Sequence, residues 1–450
     1  METMVEKLSR FVYDLKWSDI PKEVIQKAKT VLLNGISIGI ANYNLPNPKA
    51  ARELIRRYEP GNDATLIGED QKVSLMGAAF ANGALFHARG QEDTHGTSHL
   101  GTMVIPSVLA VSEYAGTSGK DFLLSVIIGY EIAAALGKEL TALSTARGFR
   151  ASSIYGILGV ASGVSKILGY RADQIKDSLA MAAAFAGGTT ETFYGGGNEW
   201  VFENGMAARN GMMAAFLPQY GMVGVRGSLD GVAGFCQAFA GTRENLDRIT
   251  AGLGKTYEIL NVTFKPYPSC AFNQTPITAM FNLITKYNIQ PEEVERIEIH
   301  MNPYEANYPG IKHTGPVYNA VQCAMSPAFA MGVILVDRKH YYSDIFRFDD
   351  PNILSLCKKT TVIDDKAVAP LGCRLSVWLR NGKELVEVMD ITPEIYFFDM
   401  EKVIRVIEGV HNEMKVPPSI TRGLIEEIKG VETWSNVKNL IQLLNLSSNR

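Results

Sequence analysis

The sequence has few cysteines and no pairing pattern among them. The five cysteines stand at positions 236, 270, 323, 357 and 373 of a 450-residue chain. An odd, scattered set without a CxxC pair predicts neither a disulfide framework nor a zinc site. We therefore expect reduced thiols and no metal.

A charge excess of either sign is also lacking. The chain has 44 Lys and Arg against 47 Asp and Glu, a net charge of -3, so no basic surface for nucleic acid or an anionic membrane is predicted. The chain start lacks the features of a secretory signal, and the most apolar stretch, 122–137, contains Glu131 and is too short to span a bilayer comfortably. These absences predict a cytoplasmic protein with a small-molecule partner.

Nucleotide-binding motifs are missing as well. The sequence contains no GxxxxGK[ST] motif and no GxGxxG after a strand, so a phosphate cradle and a nucleotide cofactor are not expected. Two glycine-rich segments, 187–190 and 195–197, permit tight turns or close approach of the backbone to a ligand. The alternative is that both are connectors between helices.

Apolar and small residues are plentiful and predict a helical protein. Hydrophobic residues make up 46% of the chain, and its length favours at least two domains. Ser18 and Asp19 before Pro21 predict a helix start, and helical spacing continues to about residue 260. From about Met400 helical patterns return.

Between these regions the pattern changes to strands and helices. Residues 294–301 alternate in polarity, and 373–391 predict two strands joined by Asn381-Gly382, a pair suited to a type I′ turn. Ser326-Pro327 predicts another helix start. The predicted fold is mainly α with a smaller α+β domain. The helical domain comprises residues 1–261 and 398–450, and the α+β domain comprises residues 262–397.

The densest polar segment is 87–99, HARGQEDTHGTSH, which lies between two apolar helices. Its three imidazoles, two carboxylates and hydroxyls supply acid, base and hydrogen-bonding groups. The alternative is a solvated loop with helix-capping residues. A metal site is not favoured, because His95 and His99 need further ligands.

A second polar segment, Phe264 to Cys270, lies where the helical region ends. Its two prolines would fix the chain direction around Lys265, a lysine suited to binding a carboxylate or polarising a carbonyl. The alternative is a stiff linker with a solvated lysine. Cys270 has no basic neighbour in sequence and is interpreted as packing or pocket lining.

Four motifs in order give the chain a family resemblance. They are Asp93-Thr94 followed by His99 and Pro106, then 147–149 (RGF), 205–211 (GMAARNG) and 265–270 (KPYPSC). Over nearly its whole length the chain resembles the MmgE/PrpD family of 2-methylcitrate dehydratases and cis-aconitate decarboxylases. The resemblance implies a homodimer, a lid-like α+β domain, a pocket between the domains, and dehydration, decarboxylation or epimerisation of di- and tricarboxylic acids without metal or organic cofactor.

The chain departs from the family pattern at five positions. Gly90 replaces an aspartate of HxxDxDDT, and Arg150 replaces a histidine. In KxLHxGxAA, Trp200 stands at the lysine and Glu203 at the histidine. Gln274 stands where a histidine usually follows the KPYPSC-like segment. An added carboxylate disfavours a tricarboxylate substrate unless a cation intervenes, and Arg150 is the candidate cation.

The resemblance also implies roles for individual residues. His99 is the predicted acid or base, Lys265 and Arg150 bind the anion, Asp93 with Thr94 positions the substrate or supports His99, and Glu203 is a replacement base. Further predicted substrate contacts are His95, Trp200, Tyr267, Ser269, Cys270 and Gln274.

Three functions remain open from the sequence. The leading hypothesis is a cofactor-independent lyase that acts on a small carboxylated substrate by proton abstraction and elimination. The second is an epimerase resembling the family's iminodisuccinate epimerases. The third is a binding protein that has lost catalysis, which Gly90, Trp200 and Gln274 favour and the retained His99 and Lys265 oppose.

Overall fold

The computed structural model describes residues 2–446, which form two compact units. The first unit holds the chain up to Thr189, residues 199–264, and the chain from Phe398 onward. The second unit holds residues 190–198 and 265–397. The sequence predicted that the chain first passes from the helical domain to the α+β domain between residues 261 and 262. It did not predict that residues 190–198 belong to the second unit.

The helices are as follows, in chain order: α1 Met4–Asp14, α2 Lys22–Ala41, α3 Pro46–Tyr58, α4 Leu75–His87, α5 Gly101–Ala115, α6 Gly119–Ala146, α7 Ala151–Ile167, α8 Ala172–Phe185, α9 Glu191–Gly195, α10 Glu199–Phe216, α11 Arg248–Ala251, α12 Gln274–Tyr287, α13 Pro303–Ala306, α14 Ala320–Met325, α15 Pro327–Asp337, α16 Pro351–Lys358, α17 Met400–Met414, α18 Pro418–Lys429 and α19 Lys438–Leu443. The strands are β1 Pro60–Thr65, β2 Lys72–Val73, β3 Val294–Met301, β4 Thr360–Asp364, β5 Cys373–Leu379 and β6 Glu384–Met389.

The core of the first unit depends on small residues that let helices approach closely. Gly129 on α6 faces Gly159 on α7, and a Cβ on Gly159 would lie 2.4 Å from the Gly129 carbonyl oxygen. The apolar stretch 122–137 lies inside α6 and is buried along its length. Alanine and glycine leave backbones free to touch, so the predicted close helix packing is confirmed.

Two parts of the first unit were not predicted. The strands β1 and β2 pair antiparallel, with Thr65 opposite Lys72. Residues 221–235 form turns and bends instead of a helix, because five glycines interrupt the stretch and glycine destabilises a helix interior. The prediction of helix to about residue 260 is therefore wrong for these segments.

The second unit is built on a four-stranded mixed sheet with strand order β4-β3-β5-β6. The strands β3 and β4 run parallel, whereas β3 with β5 and β5 with β6 are antiparallel. The predicted strand at 294–301 and the predicted pair at 373–391 are confirmed. The α15 start is also confirmed, because the Ser326 Oγ accepts a hydrogen bond from Phe329 N at 3.0 Å.

The turn between β5 and β6 differs from the predicted type I′ form. Gly382 has a φ of +84°, while Asn381 is absent from the residues with positive φ in the described chain. A type I′ turn needs positive φ at both central residues. The Gly382 N–H donates to Leu379 O and the Leu379 N–H donates to Lys383 O, both at 2.9 Å. The hairpin loop is therefore longer than a two-residue type I′ turn, and Gly382 is its left-handed residue.

The predicted fold class, a mainly helical protein with a smaller α+β part, is confirmed. The C-terminal helices α17, α18 and α19 belong to the first unit, as the return of helical spacing predicted. Within residues 2–446 no helix combines the length and apolar character that crossing a bilayer requires.

Candidate active site

The polar segment predicted from the sequence is a loop of the first unit. It begins after α4 ends at His87 and finishes where α5 begins at Gly101. Thr94 and Thr263 exchange two backbone hydrogen bonds of 2.9 and 2.8 Å, and their hydroxyls lie 2.7 Å apart. The chain just before the crossing into the second unit therefore anchors the loop. The Thr94 hydroxyl, predicted to contact substrate, faces Thr263.

Two histidine side chains of this loop region converge on one carboxylate oxygen of Glu92. Glu92 Oε1 lies 2.6 Å from His87 Nδ1 and 2.8 Å from His99 Nδ1. The side chains of His87 and Glu92 are 1% exposed, whereas that of His99 is 18% exposed. His99 is therefore the member of this group that solvent or a substrate can reach.

Arg150, just before α7, fixes the position of the proton on His87. Its guanidinium contacts His87 Nε2, and since a guanidinium only donates, that nitrogen accepts. His87 then carries its proton on Nδ1 and donates it to Glu92. Glu92 Oε1 also lies within ion-pair distance of His99 Nδ1, at 2.8 Å, so Nε2 is the ring nitrogen of His99 outside this pair. We call His87, Glu92, His99 and Arg150 the histidine cluster.

His87, Glu92 and His99 also have the spacing of metal ligands. Their donor atoms lie within 4.8 Å of one another. A metal needs an unprotonated nitrogen from each histidine, but the Arg150 contact leaves the proton on His87 Nδ1. The guanidinium also places a positive charge beside the group. The donor set therefore fits hydrogen bonding better than a bound cation.

Glu203 extends the cluster on α10. Its Oε2 accepts from Arg150 NH1 at 3.1 Å, and its Oε1 accepts from Thr189 N at 2.9 Å. The cation expected beside the added carboxylate is therefore Arg150. Arg150 is buried and also donates to Trp200 O, so a direct bond from Arg150 to a substrate would compete with these contacts, and its predicted substrate role stays a prediction.

The next residue of α10 supports the backbone of His99. Asn204 Nδ2 donates to Thr102 Oγ1 at 2.8 Å, and Thr102 Oγ1 donates to His99 O at 2.7 Å. The His99 N–H donates to Ser152 Oγ on α7 at 3.1 Å. Helices α5, α7 and α10 thus hold His99 through hydrogen bonds.

Gly90 and Trp200, two of the departures from the family pattern, lie next to each other. Gly90 has a φ of +68°, and a Cβ at this position would lie 3.7 Å from the Trp200 ring. The Trp200 ring also meets His87 edge to face, with centroids 4.6 Å apart. The positions of a family aspartate and a family lysine are therefore occupied together by a glycine and an aromatic ring.

Asp93 is a residue of the loop whose carboxylate faces α6. Its side chain is fully buried, and its Oδ2 accepts from Tyr130 OH at 2.8 Å. Lys27 is also buried nearby; burial lowers the pKa of its ammonium to about 8, and the charge of Asp93 opposes that shift. Asp93 thus anchors the loop to α6, and its predicted catalytic role stays a prediction.

Sequence reasoning did not assign roles to Glu92 and His87. Both belong to the HxxDxDDT pattern, in which His87 is the histidine and Glu92 precedes Asp93. The HxxDxDDT pattern indicated that this segment belongs to the site. It did not show which of the two adjacent carboxylates faces the histidines.

His95 forms a separate ion pair at the edge of the loop. Its Nε2 lies 3.1 Å from Glu258 Oε2, and Lys138 Nζ donates to Glu258 Oε1 at 2.9 Å. The hydrogen bond from His95, followed by those from Lys138 and Asn261, lowers the pKa of Glu258 to about 2 despite its partial burial. The predicted substrate contact of His95 stays a prediction.

The remaining predicted site residues lie in the second unit. Gln274 holds the segment 267–270 in a tight turn: its Oε1 accepts from Tyr267 N at 3.0 Å, and its Nε2 donates to the carbonyls of Tyr267, Ser269 and Cys270 at 3.1 to 3.2 Å. Ser269 Oγ donates to Ala324 O at 2.8 Å. Gln274 therefore stabilises the turn, whatever further contact it makes.

Lys265 and Cys270 are close enough in the second unit for their charges to interact. Burial raises the pKa of the Cys270 thiol to about 11, although Lys265 opposes this shift. A thiol with such a pKa is protonated near neutral pH and is a poor nucleophile. This agrees with the interpretation of Cys270 as packing or lining. Lys265 is buried, and its predicted anion-binding role stays a prediction.

Comparison with known proteins gives the family. A model of the MmgE/PrpD N-terminal domain matches residues 6–246, and one of the MmgE/PrpD C-terminal domain matches residues 267–392. The chain therefore belongs to the MmgE/PrpD family, as the resemblance indicated.

Characterised relatives carry a lyase name. The chain is 26% identical to a cis-aconitate decarboxylase of Aspergillus terreus, over 98% of this chain and 96% of the relative. It is 24% identical to the cis-aconitate decarboxylase of Mus musculus, over 87% of this chain and 82% of the relative. At the level of the family, these names support a lyase-type enzyme.

Proposed function

We propose that the protein is a cofactor-independent lyase that removes water or carbon dioxide from a small carboxylated substrate. The observation that carries the proposal is His99, whose Nδ1 lies 2.8 Å from the buried carboxylate of Glu92 while its ring stays partly exposed. A histidine oriented by a carboxylate is a recurring acid–base device in enzymes. The decarboxylase names of the relatives support the same class.

The same ring nitrogen serves both reactions. In a dehydration, His99 Nε2 takes a proton from the carbon beside a carboxylate, and the C–O electrons leave with the oxygen, which is released as water after protonation. In a decarboxylation, the C–C bond to one carboxylate breaks, carbon dioxide leaves, and the electrons of that bond enter the conjugated acid. A His99 ring that is protonated at the start then donates its Nε2 proton to the carbanion. Glu92 stabilises the imidazolium in either case.

The test is a mass-resolved assay in deuterated buffer. The purified chain is offered citrate, 2-methylcitrate, cis-aconitate, iminodisuccinate and a wider panel of small acids. We expect a product lighter by water or carbon dioxide, and loss of that product in His99→Gln. The matched control is His300→Gln, which alters a half-buried histidine on β3 that pairs with Asp365 at 3.1 Å.

An epimerase is the second candidate, because Glu203 gives the same unit another acid–base group besides His99. Epimerisation needs proton removal from one face of a carbon and return to the other. Deuterium uptake at constant chemical formula would support it and contradict the lyase. Ligand-induced stabilisation without any conversion would instead support a binding protein that has lost catalysis.

A further inference from the structure

A groove of about 310 Å³ lies in the first unit beside Glu203. Its walls come from α7, from the end of α8 with the following glycines, and from α10. A volume near 300 Å³ is the lower end of the range for small-molecule pockets. Glu203 lines this groove and belongs to the candidate active site.

The walls of the groove are largely apolar. Ile157, Phe185, Phe202 and Met206 face it, and the exposed Met206 side chain is 42% accessible. On α10, Phe202, Glu203 and Met206 occur at helical spacing and line one side. Such a surface is suited to a hydrocarbon group more than to a second or third carboxylate.

The charges next to the groove offset each other. Glu203 pairs with Arg150 at 3.1 Å, so this carboxylate does not act alone on a ligand. Arg150 continues to His87 and from there to Glu92 and His99. A ligand in the groove therefore contacts Glu203, which is linked through Arg150 and His87 to Glu92, the carboxylate that pairs with His99.

The departures from the family pattern at Gly90 and Trp200 also favour an apolar ligand. Where the family pattern has a lysine, the chain has Trp200, and this ring covers Gly90 at the position of the family aspartate. One cation and one anion have thus given way to an aromatic contact beside His87. At these two positions, an apolar contact has replaced groups that could bind or repel a carboxylate.

We propose that this groove binds an apolar arm of the substrate, so that the substrate is a carboxylic acid bearing a hydrocarbon substituent. The inference rests on the proposed function, since it places this arm against Glu203, which belongs to the candidate active site. Each buried methylene contributes about 0.8 kcal/mol, which corresponds to about fourfold in affinity.

The test measures binding of succinate, butylsuccinate and hexylsuccinate to the full chain by titration calorimetry. We expect the affinity to rise by about fourfold per buried methylene until the groove is full. In Met206→Asn the gain with chain length should be largely lost. Met222→Asn is the matched control, because Met222 is similarly exposed at 46% and does not line the groove.

The outcomes separate this inference from the proposed function. Equal affinities for the three acids, no measurable binding of any of them, or a chain-length gain that persists in Met206→Asn would overturn the groove assignment. His99-dependent turnover of an unsubstituted acid would still uphold the lyase. Conversely, a Met206-dependent gain without turnover of any acid upholds an apolar ligand site and removes the lyase.

Discussion

His99 and His95 lie in one loop, and each pairs with a glutamate. The His99 pair joins Nδ1 to Glu92 at 2.8 Å, and the His95 pair joins Nε2 to Glu258 at 3.1 Å. Glu92 is almost fully buried, whereas Glu258 also binds Lys138, whose side chain is 56% exposed. The two pairs therefore share their chemistry and differ in their surroundings.

The difference shows how surroundings decide the role of an imidazole–carboxylate pair. At Glu258, a lysine and Asn261 share the carboxylate, its pKa is lowered to about 2, and the pair fastens the loop. At Glu92, two histidines share a buried oxygen and Arg150 fixes the tautomer of one of them. The second arrangement sets a partly exposed imidazole, His99, against a carboxylate that is almost fully buried.

Replacing the buried carboxylate should have the largest effect on activity. We expect Glu92→Gln to lower kcat by roughly 10²-fold, because acid–base catalysis of this size depends on a correctly charged and oriented ring. Loss of the negative charge also disfavours the imidazolium. The pH–kcat limb that reports His99 should therefore move to lower pH, as should its imidazole signals in an NMR titration.

Glu92→Asp is the matched variant, because it keeps the charge and should restore part of the activity and the position of the limb. If Glu92→Gln loses activity while neither the pH limb nor the NMR titration moves, Glu92 supports only the fold. A melting temperature measured alongside separates that case from global unfolding.

Removing Arg150 should lower the free energy of unfolding more than any change at the His95–Glu258 pair does. Arg150→Met leaves Glu203 poorly solvated without its partner, and breaking a buried ion pair costs about 3 kcal/mol in the free energy of unfolding. The measurement is urea unfolding of Arg150→Met, Glu203→Met and the double variant. The double variant should recover much of the loss; additive losses would show that the pair is not coupled.

A third imidazole sharpens the comparison, because His411 on α17 bonds neutral groups. Its Nε2 donates to Ser37 O at 3.0 Å and its Nδ1 accepts from Thr421 Oγ1 at 2.7 Å. Burial, with the nearby charge of Arg89, lowers its pKa from 6.5 to about 4. Between these values the unfolded chain binds the proton and the native one does not.

The contribution of His411 to stability is therefore present above pH 6.5 and is lost as the pH falls toward 4, with a slope of up to about 1.4 kcal/mol per pH unit. Melting temperatures across this range measure it. His411→Gln should flatten the dependence, and His313→Gln, at a half-buried histidine of the second unit, should not. Equal slopes in all three proteins would contradict this account.

Breaking the His95–Glu258 pair should have the smallest effect on stability and activity. We expect His95→Gln to lower the free energy of unfolding by about 1 kcal/mol, the typical net contribution of one hydrogen bond, since Lys138 and Asn261 still bind Glu258. Turnover should stay of the same order as in the wild type, because His95 fastens the loop without orienting His99. A loss of activity as great as that of His99→Gln would place His95 in the chemistry.

The sequence predicted the parts of the fold that depend on local patterns. The helix after Pro21, the strand at 294–301 and the cap at Ser326 follow from spacing and residue type within one element. Where local signals are weak or mixed, as at 221–235 and in the turn at Asn381-Gly382, the predictions were wrong. The homodimer and the cytoplasmic location stay predictions.

By itself, the sequence determined that acid–base chemistry belongs in the loop 87–99 and that the family's charged positions are altered. It did not determine that Glu92 faces the histidines while Asp93 faces Tyr130. Neighbouring residues of an irregular loop follow no periodic rule, so their directions depend on what packs around the loop. Likewise, the contact of Trp200 with Gly90 joins positions far apart in the chain. Only helix packing brings them together, which is why the exchange of charge for an aromatic surface became apparent in the tertiary structure.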